Sequence, residues 1–192
     1  MSSIQPITNE QYLSYIEKEL MTGGGRWIAT FQIAIRDFVI NQLFEKKKNI
    51  IQNHVFSSLI YGGVRHSGFI ISRAFSFMAS PTYSVACATY ALDNPKNVKW
   101  SAIIDIMRDV TNIKKEMEFE WIWILIYGDD SLNQRVIDRI QAHISKEIGL
   151  LYADLKNLEI YHCNGFIARH GAKLFHPNNL NRKPSRFKFL SR

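Results

Sequence analysis

Apolar residues recur along this chain in two rhythms, and each rhythm predicts a different element. Thr8-Asn9-Glu10-Gln11 opens the first. A Thr hydroxyl and a Gln side chain three positions on can each accept an orphan backbone N–H at a helix start. A helix is expected from there to about Met21, where Gly23-Gly24-Gly25 ends it, because glycine loses more backbone entropy in a helix than other residues. Beyond the glycines, Trp27, Phe31, Ile35, Phe38, Val39 and Leu43 are spaced mostly by threes and fours. That spacing predicts a second helix over 26–45, closed by Lys46-Lys47-Lys48 at the negative end of its dipole.

Between 49 and 92 the chain turns rich in β-branched and aromatic residues, punctuated by Gly62-Gly63, Gly68 and Ser80-Pro81. Three strands are expected, over 54–61, 68–77 and 83–92, joined by tight turns. Asp93-Asn94-Pro95 makes a turn, and Trp100, Ile103, Ile104, Met107 and Val110 mark a helix over 99–117. Residues 119–127 form a continuous apolar run, short enough for a strand buried on both faces and ended by Gly128-Asp129-Asp130. Ser131 is placed to cap a helix with Leu132, Val136, Ile140, Ile144 and Ile148 on its inner face and Gly149 at its C′ position. Strands over 150–155 and 158–162 follow, and from Pro177 the chain is polar, basic and loop-like. A strand–helix–strand crossover at 119–155 implies parallel pairing, whereas short turns at 62 and 81 imply an antiparallel meander. The expected fold is α/β: a mixed β-sheet flanked by helices, forming a single domain over 1–176 followed by a basic tail over 177–192.

Charge sharpens this picture. Of the 24 Lys and Arg, seven (Arg169, Lys173, Arg182, Lys183, Arg186, Lys188 and Arg192) lie beyond Glu159, the last acid. Residues 1–159 therefore balance 17 basic groups against 17 acidic ones, and the whole net charge of +7 sits in the final 33 residues. That excludes a uniformly basic, histone-like protein and leaves a neutral body with a polybasic end. Two cysteines, Cys87 and Cys163, allow at most one disulfide, which argues against a disulfide-dense secreted scaffold. No leader and no run of roughly 20 apolar residues is seen, so the cytoplasm is the expected location and no membrane is expected as a partner.

A second basic region lies on the body. Residues 46–92 hold no Asp or Glu but carry Lys46, Lys47, Lys48, Arg65 and Arg73. With Arg182, Lys183, Arg186 and Lys188 on the tail, they offer two positive surfaces to a polyanion, and Phe187 and Phe189 interleave with the tail cations as bases would require for stacking. The expected partner is nucleic acid, DNA ahead of RNA. A tail that only solubilises, or one that packs on a partner protein or a second copy of the chain, is the alternative.

The acids give weaker signals. Tyr127-Gly128-Asp129-Asp130 looks like the metal-binding motif of viral RNA-dependent polymerases, but 192 residues cannot hold fingers, palm and thumb. It is read as a strand-to-helix turn. Asp154-Leu155-Lys156 has the acid-x-Lys spacing of metal-dependent nucleases, although a solvated surface pair is the simpler expectation. Together Asp129, Asp130, Asp154 and Lys156 define the alternative, a Mg²⁺-dependent nuclease in which the carboxylates bind metal and Lys156 polarises water. His162-Cys163, His170 and His176 match no common zinc spacing. No cofactor or metal is expected outside that alternative.

The order of helix, three-strand meander, helix, strand, helix and strand over about 26–162, with Val85 to Asn94 followed by Lys99-Trp100-Ser101-Ala102-Ile103-Ile104, resembles the restriction-endonuclease-like core of the PD-(D/E)XK nucleases. An N-terminal helical extension precedes it here. The resemblance implies a Glu-x-Lys strand at 85–94 and a metal-binding Asp on the meander. In this chain Thr89 and Ala91 stand where the acid and the lysine belong, and the meander at 46–92 has no carboxylate. It therefore implies nuclease shape and basic surface without the metal site: a non-catalytic nucleic-acid-binding or structural subunit. The aromatic content of 12%, with four tryptophans, suits a third reading, a protein-interaction subunit of a larger complex.

Overall fold

A computed structural model describes residues 6–21, 28–39, 54–65 and 82–181 of the chain. The first helix, α1 (Asn9–Met21), starts on the expected reciprocal cap. The Thr8 N–H donates to Gln11 Oε1 at 3.1 Å and the Gln11 N–H to Thr8 Oγ1 at 3.2 Å.

The helix expected over 26–45 is instead a strand, β1 (Ile28–Val39), paired antiparallel with β2 (Val55–Arg65). Two patterns compete in this segment. Phe31, Ile33 and Ile35 alternate with Gln32, Ala34 and Arg36, but the ladder slips between Ile33 and Ile35 and Asp37 takes a left-handed φ of 48°. A period of two broken once by a bulge imitates spacings of three and four. β2 also passes straight through Gly62-Gly63, where a turn was expected; these glycines pair with Val85 and Ser84 of β3 (Thr82–Ala91). The strand expected over 68–77 lies outside the described residues.

After β3 the chain alternates as expected. Helix α2 (Trp100–Glu116) leads to β4 (Trp121–Gly128), parallel to β3, and helix α3 (Gln134–Ala142) leads to β5 (Ile148–Asp154), parallel to β4. The α3 boundaries differ from expectation. Its cap is Asn133, whose Oδ1 accepts the Arg135 N–H at 2.9 Å, because the Ser131 hydroxyl is committed to Asp154. It stops at Ala142; Ile144 is 74% exposed, and Ile148 and Gly149 are drawn into the parallel ladder against Ile122 and Trp123. Among the described residues an antiparallel strand, β6 (Glu159–His162), completes a six-stranded mixed sheet in the order β1 to β6. A final helix, α4 (Phe166–Leu174), was not anticipated, and Pro177–Asn181 is a 3₁₀ turn where a loop was expected.

β4 explains the continuous apolar run. Its side chains alternate between two cores: Ile122, Ile124 and Ile126 face α2 and α3, while Trp123, Leu125 and Tyr127 face α1 and α4. The fold is thus a mixed α/β sheet with helices on both faces, as its sequence pattern implied. Cys87 and Cys163 are both free and buried. Among the described residues no helix is long and apolar enough to cross a membrane.

Candidate functional site

Two places bring polar chemistry together, and they lie at different parts of the sheet. The first is the carboxyl edge of the parallel strands, where ligands collect in α/β folds. Asp154 ends β5 in register with Gly128 at the end of β4. Its carboxylate is fully buried, contrary to the expected solvated pair, and it is satisfied from within the protein. Ser131 Oγ donates to Oδ2 at 2.6 Å, Asn157 Nδ2 to the same oxygen at 2.9 Å, and the Asn157 N–H to Oδ1 at 2.9 Å. Lys156 turns away from Asp154 and reaches Asp130 Oδ1 at 3.4 Å, while Lys96 pairs with the other oxygen of Asp130. Lys96 chiefly, then the Ser131 N–H and Lys156, hold the Asp130 carboxyl down at about 2. Asp129 is exposed and lines a shallow cavity of about 690 Å³ with Lys156 and Asn157.

The structure therefore joins Asp130 to Lys156 and ties Asp154 to Ser131 and Asn157 instead. Among the described residues no group of three His, Cys, Asp or Glu could share a metal ion. A Mg²⁺ site needs carboxylate oxygens turned toward a common point, and these residues as they stand do not fit one.

On the meander, Thr89 and Ser58 are register partners on β3 and β2. Both are fully buried; their hydroxyls meet at 2.9 Å, and Thr89 Oγ1 donates to the Ser58 carbonyl at 3.3 Å. A closed pair of neutral hydroxyls stands where the resemblance places an acid. Of the basic contacts read from the sequence, Arg65 ends β2, and Lys46, Lys47, Lys48, Arg73, Arg182, Lys183, Arg186 and Lys188 lie outside the described residues.

The second place is a groove of about 960 Å³ between edge strand β6, helix α4 and the turn at Pro177–Asn181. Its charged and titratable lining is His162, Arg169, His170, Lys173 and His176, with no acid among them, and Phe166 lies on the same surface. Helix α4 positions most of these. Ile167, Ala168, Gly171 and Ala172 face inward, which turns Phe166, Arg169, His170 and Lys173 outward at spacings of three and four. The helix is docked tightly: Trp123 Nε1 donates to the Ile167 carbonyl at 2.8 Å, and α1 reaches its C-terminal end through Tyr12 to the Phe175 carbonyl and Tyr15 to the Leu174 carbonyl at 2.8 Å.

Backbone contacts also set the proton positions of two rings. His162 Nδ1 faces the Cys163 carbonyl at 2.9 Å, which can only accept, so that nitrogen carries the hydrogen. His176 Nδ1 accepts the Asn178 N–H at 3.3 Å, so the neutral ring keeps its proton on Nε2. Sequence reading counted Arg169 and Lys173 as net charge and set the three histidines aside as a poor zinc pattern. What it lacked was α4, whose inner face is disguised because glycine and alanine supply three of its four positions.

Comparison with known proteins adds no relative: no family model matches the chain, no curated protein matches it, and no solved structure matches it.

Proposed function

We propose that the chain is a non-catalytic nucleic-acid-binding subunit with a nuclease-like fold, contacting phosphates through basic surfaces. The observation that carries this reading is the groove at α4, which collects Arg169, Lys173 and three histidines without an acid and opens onto the turn that leads into the polybasic tail. Arg169 and Lys173 in a lining that holds no acid favour a polyanion, and phosphate contacts release counterions on binding. The antiparallel meander β1–β2–β3, helix α2 and the parallel strand β4, in that order, support the nuclease-like part, although the leading helix that the resemblance implies at 26–45 is replaced by β1. The Ser58–Thr89 pair supports the non-catalytic part, since a hydroxyl already bonded to its neighbour offers a cation little.

A mobility-shift titration with labelled duplex and single-stranded DNA and RNA, at two salt concentrations and with or without Mg²⁺, tests this reading. A salt-sensitive shift with intact strands is expected. Strand scission that requires Mg²⁺, or no shift at either salt, overturns it.

A further inference from the structure

The outward stripe of α4 is unusual in combining one bare aromatic ring with cations. Phe166 is 60% exposed, and Arg169, His170 and Lys173 follow it at i+3, i+4 and i+7 on the same face. At about 1.5 Å rise per residue the stripe runs roughly 10 Å along the helix axis from Phe166 to Lys173. A lone exposed apolar side chain needs no explanation. This one differs because it stands on the wall of a groove that holds Arg169 and Lys173 and no acid, and because the His170 ring packs on it at 4.5 Å with a tilt of 59°. His170 supports one side of the phenyl ring while most of Phe166 remains open to solvent.

Resting on the reading above, we propose that this groove takes a single-stranded polynucleotide, with an unstacked base lying on Phe166 and the neighbouring phosphates on Arg169 and Lys173. The physical chemistry separates single strand from duplex. In a duplex the faces of the bases are stacked on one another, so the helix presents only phosphates and groove edges and has no use for a phenyl ring. A single strand offers both a free base face and a charged backbone, the two features this stripe addresses in sequence. DNA and RNA single strands share this chemistry.

The test is fluorescence anisotropy on the full chain with labelled oligonucleotides of about 12 nucleotides, as single-stranded DNA, as single-stranded RNA and as duplex DNA of the same sequence. The single strands are expected to bind more tightly than the duplex. Phe166→Ala is expected to weaken single-strand binding about 5- to 150-fold, as loss of one base–aromatic stack does, and to change duplex binding less than twofold. Phe166→Trp restores single-strand binding, which separates stacking from a fold defect, and circular dichroism checks that each variant is folded. The DNA and RNA arms say which strand is preferred. If Phe166→Ala binds single strands as well as the parent, or the duplex binds more tightly, the groove assignment is overturned while salt-sensitive binding elsewhere still supports the subunit reading. If no nucleic acid binds at all, both fall.

Discussion

The indole of Trp123 sits between the sheet and α4, with its Nε1 bonded to the Ile167 carbonyl at 2.8 Å and room made for it by two glycines. A Cβ at Gly171 would lie 2.8 Å from Trp123 Cδ1 and Nε1, and one at Gly149 would lie 2.8 Å from Cδ1 and 2.9 Å from Ile167 Cγ2. Both distances are too short for carbon, so the helix carrying Phe166, Arg169 and Lys173 can approach the sheet this closely only over glycine. Gly171→Ala is expected to destabilise the fold by about 1–3 kcal/mol through overpacking, read as a lower urea midpoint, and to weaken nucleic-acid binding by displacing α4. An unchanged midpoint would show that α4 is not held in this way.

Ser58 and Thr89 bond to each other and to little else, so truncating one strands its partner. Thr89→Val is expected to cost about 1–3 kcal/mol by leaving the Ser58 hydroxyl buried and unsatisfied. The double variant Ser58→Ala/Thr89→Val costs less than the sum of the two singles, a coupling that a double-mutant cycle in urea measures. Thr89→Glu, which puts an acid back at the resembled position, is expected to lower stability further and to bring no Mg²⁺-dependent cleavage, because its carboxylate would be buried without a partner.

Asp154 invites a catalytic reading by its spacing to Lys156, but its carboxylate is taken up by Ser131 in the turn after β4 and, twice, by Asn157 in the turn after β5. Asp154→Ala is expected to cost about 2–4 kcal/mol, since Ser131 and Asn157 lose a charged acceptor. Thermal melts with and without Mg²⁺ check this. The parent melts at the same temperature in both, whereas a shift of the melt by Mg²⁺ that Asp154→Ala removes would make the carboxylate a ligand.

Acid tests the Lys96–Asp130–Lys156 cluster. With Asp130 at about 2 when folded and near about 3.9 when unfolded, its folded pKa is depressed. Its contribution is therefore fully present above about pH 4 and is lost as pH falls toward 2. The drop in urea midpoint between pH 5 and pH 2 is expected to be smaller in Asp130→Asn than in the parent. Lys96→Ala is expected to reduce the drop in the same way, and Lys156→Ala less. An equal drop in all four chains would show that the ion pairs contribute nothing.

How much of this was legible in the sequence depended on whether a local signal had a rival. The cap at Thr8–Gln11, the apolar run of β4 and the parallel crossover to β5 stood alone, and the structure follows them. At Trp27 to Leu43 the helical spacing and the alternation of Phe31, Ile33 and Ile35 were both present, and pairing with β2, which no local window contains, decided for the strand. Gly62-Gly63 and Gly149 looked like punctuation but serve as ladder positions. At the site, the cations and histidines were visible as residue types. Their convergence was not, because it depends on α4 docking over Trp123 and on the Pro177–Asn181 turn folding back beneath it.

The dependence of single-strand affinity on salt, compared between the parent and the variants Arg169→Ala and Lys173→Ala, tests the nucleic-acid reading at its root. The parent is expected to bind with an affinity that falls steeply as salt rises, and each substitution to lower the slope of log affinity against log salt by about 0.7, one phosphate contact on a single strand. Affinity and slope that stay the same in both variants, or a parent that binds no strand even at low salt, would contradict it.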